Sequence, residues 1–183
     1  FVVTFLEMLQ APEQPLAPSR SDVTLQRWQT PDLDSYRKLF REVGEDWIWF
    51  GRLVHDDKTL EQLLAEPARE NYLPIIDGKP VGTLELDFAN PEEPELSYFG
   101  LVPGAIGGGL GRWLMAQALD IVWSRPETKR LWVHTCTGDS PQALIFYQAC
   151  GFKPYKRAIE VAEDPRLQGL LGRKRAPHVP VIE

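Results

Sequence analysis

Phe99-Gly100-Leu101-Val102-Pro103-Gly104-Ala105-Ile106-Gly107-Gly108-Gly109-Leu110-Gly111, continued at once by Arg112-Trp113-Leu114-Met115, decides how this chain folds. An apolar strand runs into a glycine-dense turn, and apolar residues then recur at helical spacing. A strand, loop and helix in this order present unpaired backbone N–H groups at the positive end of a helix dipole. That is a seat for an anion, most often a phosphate.

Upstream, Val23-Thr24-Leu25-Gln26-Arg27-Trp28 alternates as a strand. Thr30-Pro31 predicts an N-cap and a first-turn proline for a helix that buries Leu33, Tyr36, Phe40 and Val43 and stops at Gly44. Leu60, Leu63 and Leu64 mark a second, short helix ending at Pro67. Asp77-Gly78, between two apolar runs, predicts a tight hairpin, and Asn90-Pro91-Glu92-Glu93-Pro94 the next turn. Downstream of the glycines come a helix over about residues 110–123, a strand over 131–136, a helix capped by Ser140 and closed by Gly151, and a strand over 152–161. A last apolar run ends the chain. Strand, crossover helix and strand make two parallel neighbours, so the order describes an α/β (α+β) fold with a mixed central sheet and helices on both faces.

The apolar opening Phe1-Val2-Val3-Thr4-Phe5-Leu6 reads as a strand, able to pair with this sheet or with that of a second subunit, so a homodimer is a possibility. Pro12, Pro15 and Pro18 then make an extended linker. The expected organisation is residues 1–19 as N-terminal strand and linker, and 20–183 as a single domain.

The chain has 183 residues, a net charge of −6 and 43% hydrophobic residues, which suits one soluble domain and argues against nucleic acid, for which a basic face is usual. A cationic small substrate fits the charge better. The first apolar run lacks a basic leader and is far short of the ~20 residues of a spanning helix, so a cytoplasmic protein with no membrane association is expected. Cys136 and Cys150 form no zinc framework, and His55, His134 and His178 show no ligand spacing, so no metal is expected.

The glycine loop lacks the Gly-Lys-Ser/Thr of a nucleoside triphosphate site, and strands in antiparallel order precede it, unlike a dinucleotide fold. It resembles instead the pyrophosphate loop of the GCN5-related N-acetyltransferase (GNAT) family, whose motif is Gln/Arg-x-x-Gly-x-Gly/Ala. Ile106 takes the first motif position, where it departs from the family, and Gly109 and Gly111 take the fourth and sixth. Ser140 through Phe152 resembles the family's Asn-x-x-Ala-x-x-x-Tyr-x-x-x-Gly-Phe helix, with Ser140 in place of Asn. Asp77 through Gly82 is similar to its hairpin.

The resemblance implies a mostly antiparallel sheet with one splayed parallel pair, and acetyl-coenzyme A as co-substrate. An amine-bearing small molecule or peptide would accept the acetyl group. Ile106, Gly107, Gly108, Gly109, Leu110, Gly111 and Arg112 would hold the pyrophosphate, with Ser140 nearby. Phe99, Gly100 and Leu101 would bind the pantetheine as an added strand, and the Leu101 N–H would face the thioester oxygen. Tyr147 would protonate the leaving thiolate. Glu95 or Glu85 would be the base, or neither, with water relaying the proton. Glu95 is expected on the face of Phe99 by two-residue alternation.

Trp47, Trp49, Phe50 and Arg52, with His55, Asp56 and Asp57 just beyond, would build the acceptor site. There the aromatic rings either hold a cationic amine or cap the core, and Arg52 is a candidate for a substrate carboxylate. Arg173-Lys174-Arg175 reads as a solvated tail or a contact to the 3′-phosphate of coenzyme A. A module of the same fold that binds acyl-coenzyme A without turnover, or one that transfers a longer acyl group, is the alternative.

Overall fold

A computed structural model describes residues 1–14 and 16–182; Pro15 of the expected linker lies outside the described residues. The strands are β1 (Val2–Met8), β2 (Thr24–Arg27), β3 (Arg69–Ile76), β4 (Lys79–Pro80), β5 (Gly82–Asp87), β6 (Glu95–Leu101), β7 (Leu131–Cys136) and β8 (Lys153–Ile159). The helices are α1 (Leu33–Gly44), α2 (Asp57–Leu64), α3 (Leu110–Trp123) and α4 (Ala143–Ala149). The sheet runs β2-β3-β5-β6-β7-β1-β8, with β4 paired to β3. It is mixed as expected: β6 and β7 run parallel, and the other pairs are antiparallel.

Local chemistry sets the boundaries. Asp77 and Gly78 both take positive φ, 49° and 73°, which lets the hairpin close. The cap of α1 is Asp32, whose carboxylate accepts from the Ser35 N–H at 2.9 Å; the chain reaches its helix two residues later than Thr30-Pro31 predicts. Asp56 caps α2 through the Thr59 N–H, Asp57 pairs with Arg37 at 2.6 Å, and neither acid lines the cavity described below. Ser140 and Pro141 form a turn ahead of α4 rather than its cap.

Two apolar layers sandwich the sheet. On one face Leu6, Leu84, Leu96 and Val133 of the sheet pack against Leu114 and Met115 of α3 and Tyr147 of α4. On the other Tyr36, Phe40, Leu60 and Leu64 pack under α1 and α2 together with Leu171 from the C-terminal segment. That segment has no strand over 179–182; a hub made by Arg166, 4% exposed, holds it. Arg166 pairs with Asp164 at 2.7 Å and donates to the carbonyls of Arg175, Ala176 and Val179. Arg175 in turn pairs with Glu45 and Asp46, which places it at the end of α1, and corrects the expectation of a solvated tail or a coenzyme contact for that residue.

The first strand pairs within its own chain. β1 fills the gap between β7 and β8, with Phe5 opposite His134 and Thr4 opposite Arg157, and Leu6 is fully buried. β8 is left as the edge, where Lys153, Lys156 and Arg157 discourage further strand addition. Leu6→Ala should therefore lower stability by about 2–5 kcal/mol in urea unfolding. A change near zero would mean that β1 is not part of the cooperative core.

Candidate active site

β6 and β7 make one registered pair, Glu95 with Trp132, and then part. Pro94 holds this start of the parallel pair, its carbonyl accepting the Trp132 N–H at 3.1 Å. Further along, Val102 donates to the Val81 carbonyl at 3.0 Å. Since alternate residues of a strand direct their polar groups to opposite edges, Gly100 also faces β5, while Phe99 and Leu101 offer their N–H groups to the open cleft. A cavity of about 440 Å³ occupies the cleft and reaches the loop after α1.

The glycine loop closes one end. Gly107, Gly108 and Gly109 have φ of 109°, 56° and 78°, conformations that L side chains rarely adopt. The turn delivers the chain to the first turn of α3, where the Gly111 and Arg112 N–H groups precede any helical acceptor. No atom lies within 4 Å of where a Cβ would sit on those three glycines, so the cradle is open to an anion. Arg20, unnoticed in the sequence, donates to the Gly108 carbonyl at 2.8 Å and braces the loop; Asp22 holds its guanidinium. Ile106 is 63% exposed beside the cradle.

Phe99 stacks on Phe146 at 5.6 Å and lies 6.4 Å from Tyr147, which is buried on α4 and lines the cavity. Burial, with Asp139 and Cys150 adding to it, pushes the Tyr147 phenol well above its ordinary value, so it stays protonated throughout the neutral range. Of the other residues expected to bind coenzyme A, Gly100, Leu101, Ile106, Gly111 and Ser140 line the cavity, while Gly107, Gly108, Gly109, Leu110 and Arg112 lie in the loop and first turn beside it.

Trp47, Trp49 and Phe50 also line the cavity. Trp49 both caps the core and faces the opening. Its ring packs on Phe40 and Tyr98, and its indole N–H donates to the Asp139 carboxylate at 3.1 Å. A Cβ on Gly44 would lie 2.3 Å from the Trp49 ring, and one on Gly100 would lie 2.5 Å from Val43 Cγ1, so glycine seats this tryptophan. Ile48 is held at φ 54°, an uncommon conformation for a β-branched residue, which turns the loop into the cavity. Trp47 lies against His178 of the C-terminal segment, whose Nε2 is 3.0 Å from the Gly138 carbonyl.

Three expectations change. Arg52 turns away from the cavity and pairs with Glu85, so it does not meet a substrate carboxylate. Glu85 is 1% exposed and is enclosed by Arg52, Arg69 at 2.7 Å and the Tyr36 hydroxyl at 3.1 Å, which makes it an anchor for the loop and not a base. Burial lowers and Glu85 raises the Arg52 pKa, the net being upward, and burial pushes the Tyr36 phenol far up. Glu95, finally, does not share a face with Phe99. A β-bulge pairs Glu85 with Tyr98 but Leu86 with Leu96, skipping Ser97, so the alternation slips by one residue. Leu96 and Phe99 face α3 and α4, and Glu95 falls on the side of Tyr98.

Glu95 does not itself line the cavity; His134 does, with Nδ1 3.1 Å from Glu95 Oε1. The sequence reading passed over His134 because no ligand spacing marked it. Its alternation with Trp132 and Cys136 on β7 was the available signal.

The acetyltransferase (GNAT) family pattern matches residues 26–152. The mycothiol acetyltransferase of Kineococcus radiotolerans is 31% identical over 118 residues, which is 63% of this chain and 37% of that protein. The chain thus spans little more than a third of that relative's length. Among solved structures, a GNAT family acetyltransferase from Elizabethkingia anophelis with acetyl-CoA bound aligns at TM-score 0.54 and 18% identity, covering 75% of this chain and 80% of that one. An aminoglycoside acetyltransferase from an uncultured soil metagenomic sample, in complex with trehalose, aligns at 0.60 and 16%, covering 78% and 95%. These two likenesses are of fold.

The enclosed Glu85 gives a stability prediction. Glu85→Gln leaves Arg52 without a countercharge in a buried place and Arg69 with Asp87 alone, and should cost about 3–5 kcal/mol in chemical denaturation. Glu95→Gln, at a half-exposed site, should change the same measurement little. Equal effects would show that the Glu85 cluster is not an anchor.

Proposed function

Because the chain belongs to the acetyltransferase (GNAT) family, we propose that it carries an acetyl group from acetyl-coenzyme A directly to a primary amine of a small molecule or peptide. The observation that carries this reading is one cavity in which a protonated, buried Tyr147, the open edge of β6 and an aromatic loop meet.

The open cradle of Gly107, Gly108 and Gly109 at the start of α3 suits the pyrophosphate, with Arg20 and Arg112 as nearby cations. Phe99 and Leu101 offer the pantetheine a strand edge, and in this reading the Leu101 N–H stabilises negative charge growing on the acetyl oxygen. When bound, acetyl-coenzyme A supplies an activated acetyl carbon and a thiolate leaving group. Tyr147, whose raised pKa keeps its proton in place at neutral pH, gives that proton to the departing sulfur.

The acceptor enters beside Trp47, Trp49 and Phe50. Among the described residues that line the cavity, the charged side chains are Asp139 and Glu160, both acidic, and His134 adds a titratable imidazole. Aromatic faces and acidic groups suit a cationic amine on an apolar body. One observation favours the alternative of a binding module without turnover: Ile106 puts a hydrophobic side chain where the family has Gln or Arg.

Thiol release from acetyl-coenzyme A over a panel of arylalkylamines, polyamines and aminoglycosides tests the reading. Release with at least one amine is expected; coenzyme A binding without release on any of them would establish the module. Tyr147→Phe should lower kcat by about 10²-fold or more while leaving the coenzyme A Kd unchanged, and an unaltered kcat would remove the assignment. Ile106→Arg adds a cation beside the cradle without disturbing a core contact. Calorimetry should show tighter coenzyme A binding whose gain fades at high salt.

A further inference from the structure

Glu95 is registered with Trp132 where the parallel strands part, and His134, two residues further along β7, meets its carboxylate; the two differ in access. The carboxylate lies behind and the imidazole lines the cavity. We propose that His134 Nε2 is the atom that takes the proton from the acceptor ammonium, and that Glu95 is a positioning residue that fixes the ring. The inference rests on the acetyltransferase reading above and deepens it.

Geometry sets the tautomer. With Nδ1 at 3.1 Å from Glu95 Oε1, the neutral ring donates its Nδ1 hydrogen to the carboxylate, which leaves the Nε2 lone pair as an acceptor. Two rings hold the imidazole in place. Phe5 of β1 lies 5.7 Å away and Trp132 6.1 Å away, so the inserted first strand supports the ring from the side opposite Glu95. The hydrogen bond that His134 donates to Glu95 raises the His134 pKa most, burial opposes it, and the charges of Glu95, Asp139 and Glu160 add to the rise. From β8, Lys156 sits over the far face's partner, the Phe5 ring, at 4.8 Å. A base with a pKa nearer that of an ammonium accepts its proton with less penalty.

The proton balance closes with the groups present. The ammonium gives one proton to His134 Nε2, and the freed lone pair forms the nitrogen–carbon bond. As the carbon–sulfur bond breaks, its electron pair leaves on sulfur, which takes the Tyr147 proton. The second amine proton returns to the Tyr147 oxygen, and His134 releases its own to water.

Two measurements test the pair. Nuclear magnetic resonance titration of the imidazole signals, assigned by loss in His134→Gln, should place His134 above the ordinary 6.5, and Glu95→Gln should lower it. The best acceptor of the amine panel then gives kcat/KM against pH. Activity needs neutral His134, so it rises with pH through the His134 pKa. Glu95→Gln should move that acidic limb to lower pH and retain part of the rate. His134→Gln should remove the limb and lower kcat/KM near neutrality by about 10²–10⁴-fold, with its melting temperature and coenzyme A affinity unchanged. Turnover that persists in His134→Gln, with the limb lost in Glu95→Gln instead, overturns the proposal and makes the carboxylate the base. An absence of thiol release on every amine, with coenzyme A bound, overturns the acetyltransferase reading itself.

Discussion

The separation of two parallel strands governs this molecule. β6 and β7 are tied at Glu95 and Trp132 and are unpaired beyond that step, so the strand edge carrying Phe99 and Leu101 has polar groups in need of partners. Two features keep the strands apart. Phe99, Phe146 and Tyr147 form a wedge of rings from β6 to α4, and β1 occupies the other edge of β7. A sheet that closed here would lose its cavity, and one without the wedge would have no reason to stay open. The same separation sets the start of α3 and its glycines at the mouth of the cleft.

On the α1 side, the cleft is walled by a loop that would otherwise be free to move. Its two ends are fixed by different physics. Arg52 is drawn under α1 by Glu85 within a buried group of two carboxylates and two guanidinium groups, Asp87 and Arg69 completing it. Trp49 is fixed by shape, against Gly44 and Gly100, and by its hydrogen bond to Asp139. Asp139 also accepts from the Thr135 hydroxyl and the Cys136 N–H, so one carboxylate links the end of β7 to the loop that faces it. The rings lining the opening thus share the rigidity of the sheet.

Patterns of local origin were legible in the sequence. The Asp77-Gly78 hairpin, the glycine turn into α3 and the α4 helix with Tyr147 each follow from residues adjacent in the chain. What was hidden depends on pairings that the chain makes at a distance. A single skipped residue, Ser97, reverses the face of Glu95 relative to Phe99, and nothing in an alternating strand announces a bulge. The position of β1 between β7 and β8 joins residues more than a hundred apart. Arg52 and Glu85 read as candidates for a ligand because their charges were visible and their burial was not. His134 was passed over for the opposite reason: a lone histidine carries no pattern, and its partner Glu95 comes from another strand.

Two titrating groups of the cleft, Tyr147 and His134, are displaced upward by different causes, and the difference matters for chemistry. Tyr147 rises because burial penalises a phenolate, which suits a group that must hold a proton until sulfur departs. His134 rises because a carboxylate steadies its charged form, which suits a group that must gain a proton from an ammonium. Were the causes exchanged, with the histidine buried without Glu95 and the tyrosine beside a cation, both shifts would reverse. The arrangement follows from the strands themselves. The bulge in β6 turns Phe99 toward Tyr147 in the apolar layer and leaves Glu95 facing His134 on the acidic side, so one extra residue separates the proposed proton donor from the proposed proton acceptor.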